Sequence, residues 1–259
     1  MATRTRRSQR RTEALSRERI VEAAVELLDA AGESGLTFRA LTERLATGPG
    51  AVYWHVANKD ELLGAATEGV VAAALAADAA DAADPPGLID TADPAGSPQD
   101  GIRAVALGLS GAIEEHPWLA TQLAVQLSRN PWGTVTARIF ESIGRQVRAL
   151  GVPESSWFTA TSALLHYILG AAGQNAVNAG VPGPDTDRAE FLGAVSTAWK
   201  ELDPDDYPFT RAVADQMREH DDREQFLAGI DFVLTGITTL HPPGGHPGTP
   251  PGRRETGSH

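Results

Sequence analysis

The 259-residue chain contains no cysteine and only two lysines, Lys59 and Lys200. Without a thiol there is no disulfide framework, no thiolate metal site and no cysteine nucleophile. Long apolar runs are also missing. The longest, Val70 to Ala77, falls far short of the roughly 20 residues a spanning helix needs. The arginines near the N-terminus lead into no apolar h-region of the kind that marks a secretory signal. The expectation is a cytoplasmic protein with no membrane partner. Enzyme signatures are absent as well: no Gly-rich phosphate loop, no HExxH, no GxSxG and no paired-carboxylate helix motif. The seven histidines are scattered, and His241 and His246 fall in a Pro/Gly-rich tail. Neither an enzyme nor a cofactor is expected. No β-strand pattern and no internal repeat appears.

What is present is a marked asymmetry of charge. The formal net charge is −12, which by itself argues against a polyanionic partner. Yet residues 1–12 hold Arg4, Arg6, Arg7, Arg10 and Arg11 and no acid, and residues 1–65 carry 10 basic against 9 acidic side chains. The remaining residues carry 12 basic and 25 acidic. A polyanion is bound by a local basic surface, whatever the sign of the whole chain. The N-terminal arginines fit a minor-groove arm, and a solubilising tail is the competing account.

Apolar periodicity organises almost the whole chain into helices. Residues 1–15 read as a disordered arm. Ser16 caps a first helix over about 17–31, with Ile20, Ala23, Ala24, Leu27, Leu28 and Ala31 forming its apolar stripe and Gly32 its stop. Thr37 caps a second helix to about Leu45. Gly48-Pro49 opens a short third helix over about 49–55, with proline at its first position, where a missing N–H costs nothing. Asn58-Lys59-Asp60-Glu61 is a capping-box variant that starts a fourth helix running to about Ala83. A Pro/Gly/Asp-rich stretch follows over 84–98. Helices are then expected near 99–115, 117–128, 133–150, 154–179, 188–202, 209–220 and 222–240, with a disordered tail over 241–259. The fold class is all-α.

Helix, tight turn, short helix and turn, ending in the aromatic group Tyr53-Trp54-His55, is how a protein presents a two-turn helix to a major groove. The segment Ser16–Leu63, with GLT before helix 2 and YWHVxNKxxLL after its turn, resembles the DNA-binding domain of the tetracycline-repressor (TetR) family of bacterial one-component regulators. Phe226 to Ile237 is similar to a common last helix of that family. The resemblance implies roles position by position. Thr37 and Arg39 match helix-2 positions that touch backbone and, for the arginine, often a base. Gly50 and Ala51 match the first base-facing positions of the recognition helix. Tyr53, Trp54 and His55 match its phosphate and base contacts, and Lys59 matches a phosphate anchor. Val52 and Val56 take the inward positions, which turns Tyr53 outward and leaves Trp54 open to either core or contact. Two departures stand out: Ala46 occupies the turn position where the family usually has glycine, and Pro49-Gly50-Ala51 offers no side-chain hydrogen bonds, so specificity is expected to lean on Arg39, His55 and the N-terminal arm.

The expected organisation is therefore an N-terminal three-helix helix-turn-helix DNA-binding domain over 16–64 and a helical ligand-binding and dimerisation domain over 65–240. A single short helix reads too little sequence to find one operator, so a homodimer on a palindrome is expected, paired through helices 154–179 and 222–240. Their candidate interface residues are Ala160, Ala163, Leu164, Ile168, Ala171 and Ala172 on one helix, and Leu227, Ile230, Leu234 and Ile237 on the other. Candidate pocket residues are Trp118, Gln122, Trp132, Phe158, His166, Tyr167 and Asn175, an aromatic and amide mixture that suits a mostly apolar cavity. The partners expected are a double-stranded DNA operator and a small-molecule effector that releases the protein from it. Activation instead of repression is an alternative, as is a regulator without an effector. A helical interaction module displaying the aromatic cluster is the rival of a different class.

Overall fold

The computed structural model describes residues 15–81, 96–179 and 187–242. The expected arm, with Arg4, Arg6, Arg7, Arg10 and Arg11, lies outside the described residues, as do the tail beyond residue 242 and most of the Pro/Gly/Asp-rich stretch. Among the described residues the structure is helical, with one short 3-10 turn and no strand. The chain divides into two compact units between Val70 and Val71, inside the fourth helix.

The first unit opens with α1 (Arg17–Gly35), whose N-cap Ser16 accepts a hydrogen bond from the Arg19 amide at 3.3 Å. Gly32 does not end the helix but kinks it. Its φ of +63° is a conformation glycine adopts without steric cost, and one more turn follows it. Thr37 caps α2 (Phe38–Arg44) by accepting from the Ala40 amide at 3.1 Å. The third helix, α3 (Pro49–Tyr53), is shorter than expected, because Trp54 and His55 close it as a turn. At the start of α4 (Lys59–Asp81) the Asn58 carboxamide accepts from the Glu61 amide at 2.8 Å. The Glu61 carboxylate in turn accepts from the Ala57 amide at 2.8 Å, which completes the capping-box variant. Ile20, Ala24, Leu28, Leu41, Val52, Val56, Leu62 and Ala66 are fully or almost fully buried and form this unit's core. The Arg44–Glu26 pair joins α2 to α1, and Arg17 lies 3.6 Å from Glu61 between α1 and α4.

The second unit is built around α8 (Trp157–Ala179), which packs against α5 (Pro98–Glu115), α6 (Trp118–Arg129), α7 (Thr134–Ala149) and α12 (Asp222–Leu240). Its core comes from Ile102, Leu109 and Ile113 of α5, Leu119 and Leu123 of α6, Ile139 and Ile143 of α7, Leu164 and Ile168 of α8, and Phe226 and Ile230 of α12. Arg103 of α5 donates to Asp231 of α12 at 2.8 Å and ties those two helices together. The expected helix 209–220 is in fact two, α10 (Pro208–Ala212) and α11 (Ala214–Glu219), broken at Val213. Both pack mainly on α9 (Arg188–Glu201). The Arg188–Asp222 ion pair and the His220–Asp222 contact at 2.8 Å fasten the ends of this α9–α11 hairpin to the start of α12.

Packing corrects the expected interface residues. Ala160, Leu164, Ile168 and Ala172 of α8, and Ile230, Leu234 and Ile237 of α12, are buried within the chain itself. Ala171 and Leu227 are half-buried, and only Ala163 of that set is exposed. A different stripe faces outward on α8: Thr159, Ala163, His166, Gly170, Gln174 and Val177. On α12 the exposed stripe is Ala228, Phe232, Thr235, Gly236 and Thr239.

Candidate functional site

In the first unit the buried pair Val52 and Val56 anchors α3 from below. With those two positions inward, helical geometry turns the residues between and before them to the surface. Trp54 is 89% exposed and Tyr53 53% exposed. Gly50 is exposed, a Cβ there would meet nothing within 4 Å, and Ala51 and His55 are half-buried. The Tyr53 ring stacks on Phe38, with centroids 4.6 Å apart and planes inclined by 13°. That contact, between side chains of two different helices, fixes the direction of the phenol.

The flanking cations are placed as follows. The Arg39 side chain is almost fully exposed and pairs with Glu43, one helical turn on, at 2.9 Å. An exposed pair of this kind is worth under about 1 kcal/mol, so Glu43 holds the guanidinium only weakly. Thr37 has its hydroxyl committed to capping α2. Lys59 donates from its ammonium to the Glu33 carbonyl at 2.6 Å, at the C-terminal end of α1, where a cation is favoured. The turn between α2 and α3 holds Ala46 at φ +48°, the single non-glycine residue with positive φ among the described residues. Two short helices joined by a tight turn, the second with its aromatic tip outward and with Arg39 and Lys59 on either side in sequence, form a helix-turn-helix surface.

Three cavities of the second unit are lined by described residues. The largest, about 690 Å³, lies between α6, α7 and α8, and its wall includes Phe140, Phe158, Ser162, Leu165, His166 and Leu169. A second, about 420 Å³, is polar and charged, with Glu114, Asn175, Arg188 and Asp222 in its wall. The third, about 530 Å³, is lined by Ala72, Leu75 and Ala76 of α4 and by Arg138, Glu141 and Arg145 of α7. Of the residues expected in a pocket, Phe158 and His166 line the first cavity and Asn175 the second. The other four line none of them. Trp118 and Gln122 are buried at the start of α6, and Trp132 is 83% exposed on the α6–α7 turn.

Tyr167 has a structural task. Its hydroxyl donates to the Phe226 carbonyl at 3.1 Å, its ring stacks on Phe226, and burial pushes its pKa up. Gly229 makes room for it, since a Cβ there would lie 1.9 Å from the Tyr167 hydroxyl. Sequence reasoning missed Ser128, Thr136 and Ser162 in the largest cavity, because small polar residues in amphipathic helices carry no distinguishing pattern.

The fold and this surface define a helix-turn-helix regulator whose second, all-helical unit contains cavities of ligand size. Residues 20–66 match the tetR family of bacterial regulatory proteins, and residues 91–241 match the tetracyclin repressor-like C-terminal domain. The chain therefore belongs to the TetR family of transcriptional regulators, which are not enzymes. It is similar to the transcriptional regulator SCO7222, a TetR from Streptomyces coelicolor, at 70% identity and TM-score 0.76, over 88% of this chain and 99% of that one. An HTH-type transcriptional regulator of Saccharopolyspora erythraea is 29% identical over 164 residues, which are 63% of this chain and 62% of that protein. The class C tetracycline repressor of Escherichia coli is 46% identical over 57 residues, 22% of this chain and 26% of its own length. The chain thus spans less than two thirds of each of these last two relatives. Among the described residues no helix is long and apolar enough to cross a membrane.

Proposed function

We propose that the chain is a cytoplasmic repressor that binds a palindromic operator as a homodimer and leaves it when a small-molecule effector occupies the second unit. Residues 16–64 carry DNA recognition and residues 65–240 carry pairing and effector binding. The observation that carries this reading is the outward mounting of Gly50, Tyr53 and Trp54 over the buried Val52 and Val56. Large aromatic side chains left in water cost free energy unless a partner covers them, and this pair sits on the helix that a major groove accommodates. Arg39 and Lys59 supply phosphate contacts, Lys59 by exchanging its α1 carbonyl for a phosphate oxygen. Gly50 and Ala51 let the backbone approach the base edges, and His55 and Arg39 read them. The arginines at positions 4, 6, 7, 10 and 11 add a flanking minor-groove contact.

Pairing through α8 and α12 is supported by their exposed stripes, in which small residues (Ala163, Gly170, Ala228, Gly236) allow close helix approach and Phe232, 78% exposed, supplies an anchor. Two recognition helices then meet successive major grooves about 34 Å apart. An effector that prefers a dimer with another spacing lowers operator affinity about 100-fold if it discriminates by about 2.7 kcal/mol.

The test is selection of a binding site from a random duplex pool, followed by gel shift at fixed salt. Recovery of an inverted repeat, with at least about tenfold weaker binding by Tyr53→Ala and Lys59→Ala variants, is expected. Equal affinity for every duplex would overturn the proposal.

A further inference from the structure

The largest of the three cavities, between α6, α7 and α8, has a chemical character that the other two lack. The chain carries 34 acidic and 22 basic side chains, and the other two cavities each have arginine and carboxylate in their walls. The wall between α6, α7 and α8 has none. It consists of aliphatic side chains, Phe140 and Phe158, the hydroxyls of Ser128, Thr136 and Ser162, and His166. Phe140 and Phe158 lie nearly parallel, with centroids 5.8 Å apart and planes inclined by 24°. Phe158 is nevertheless 74% exposed, so one aromatic face remains open for a further ring. The Thr136 hydroxyl is committed to the Asn130 carbonyl at 3.3 Å. His166 makes no hydrogen bond among the described residues, which leaves its ring nitrogens for a ligand.

We propose that this cavity binds a neutral, planar aromatic molecule, stacked against Phe158 and hydrogen-bonded by His166. The inference deepens the regulator reading by naming the class of its effector, and it rests on that reading for its biological consequence. A charged ligand would give up its hydration here without meeting a counter-charge. A neutral ring system surrenders little hydration and gains apolar contact over most of its surface. The acidic balance of the second unit therefore does not select a cationic effector, because the acids are not where this ligand sits. His166 also belongs to the outward stripe of α8, so a second copy paired on that stripe would close the open side of the cavity. Ligand occupancy and pairing geometry are thereby coupled through one side chain.

The experiment uses the full chain without DNA and follows the fluorescence of three planar dyes: Nile red (neutral), ethidium (cationic) and pyrenesulfonate (anionic). Nile red should saturate at one molecule per chain and bind at least about tenfold more tightly than either charged dye. Ser162→Trp, which fills the cavity, and Ser128→Trp, on its exposed rim where the fold tolerates bulk, should each weaken Nile red at least about tenfold without changing the thermal unfolding profile. Charged dyes that match Nile red would overturn the proposal, as would unimpaired Nile red binding by both variants. A dimer that takes up no Nile red would also overturn it, since the partner would then fill the cavity itself. Dye binding requires no operator. A chain that binds Nile red but selects no duplex refutes the regulator reading alone, and the reverse result refutes the cavity assignment alone.

Discussion

The α2–α3 turn stores strain at one residue, and relieving it should stabilise the DNA-binding unit. Ala46 is exposed and held at φ +48°, while its amide and that of Thr47 bond back to the Glu43 and Thr42 carbonyls at 3.3 and 3.1 Å. Those bonds fix the chain direction into α3, so the left-handed conformation cannot relax without losing the turn. A Cβ in that region costs about 1–2 kcal/mol. Replacement by glycine removes the cost but gives the unfolded chain more freedom, worth about 0.4–1 kcal/mol in the opposite sense. The net expectation for Ala46→Gly is a gain of about 0.5–1 kcal/mol. Ala46→Val should lose stability, because a β-branched residue fits that region worse still. Hydrogen exchange of the α2–α3 amides reads this locally, without interference from the second unit. The glycine variant should slow exchange roughly two- to fivefold, and the valine variant should accelerate it. Exchange that is unchanged or faster in the glycine variant would refute the strain assignment.

Other substitutions probe other joints. Asn58→Ala removes the side chain that caps α4 and should cost about 1 kcal/mol by chemical denaturation, with the α4 N-terminus exchanging first. Tyr167→Phe deletes the hydrogen bond to the Phe226 carbonyl and should cost about 1 kcal/mol, whereas Gly229→Ala forces apart the α8–α12 crossing and should cost about 1–3 kcal/mol. If Tyr167 were instead a ligand contact without structural weight, neither change would shift the unfolding midpoint. Phe232→Glu should convert dimer to monomer in sedimentation and weaken operator binding while leaving the folded chain's stability within about 0.5 kcal/mol, because the ring is exposed. A dimer that survives the substitution would place the pairing face elsewhere.

Local chemistry made the first unit legible. Its caps are side chains whose partners lie three residues away, so Ser16, Thr37 and Asn58 announce helix starts that the structure reproduces. Val52 and Val56, four residues apart, leave one outward face for the aromatics whatever the rest of the chain does. Gly32 shows the limit of such punctuation, since glycine permits a positive φ without deciding whether the helix resumes beyond it. The stack of Tyr53 on Phe38 and the bond from Lys59 to the Glu33 carbonyl were beyond reach for another reason. Each joins residues from different helices, and no spacing rule encodes the angle between those helices.

The second unit was legible as helices but not as faces, and α8 shows why. Apolar or small residues run almost all round it, so periodicity alone cannot separate the side that packs on α5, α7 and α12 from the side left open. Size separates them only in part, since Ala160 and Ala172 are buried while Phe158 and Val177 are exposed. The inward residues Leu164, Leu165 and Ile168 are large and branched, as a core that must fill space requires. The outward stripe carries Ala163 and Gly170, which leave room for a second helix to come close. The same distinction holds on α12, where Ile230 and Leu234 are buried and Ala228 and Gly236 are exposed. The expected interface set mixed small with branched residues, and all but Ala163 of it is buried or half-buried within the chain. Packing of the chain on itself consumes most of the branched side chains of both helices, and the proposed pairing face is the stripe of small residues that this leaves, with Phe232 exposed on it.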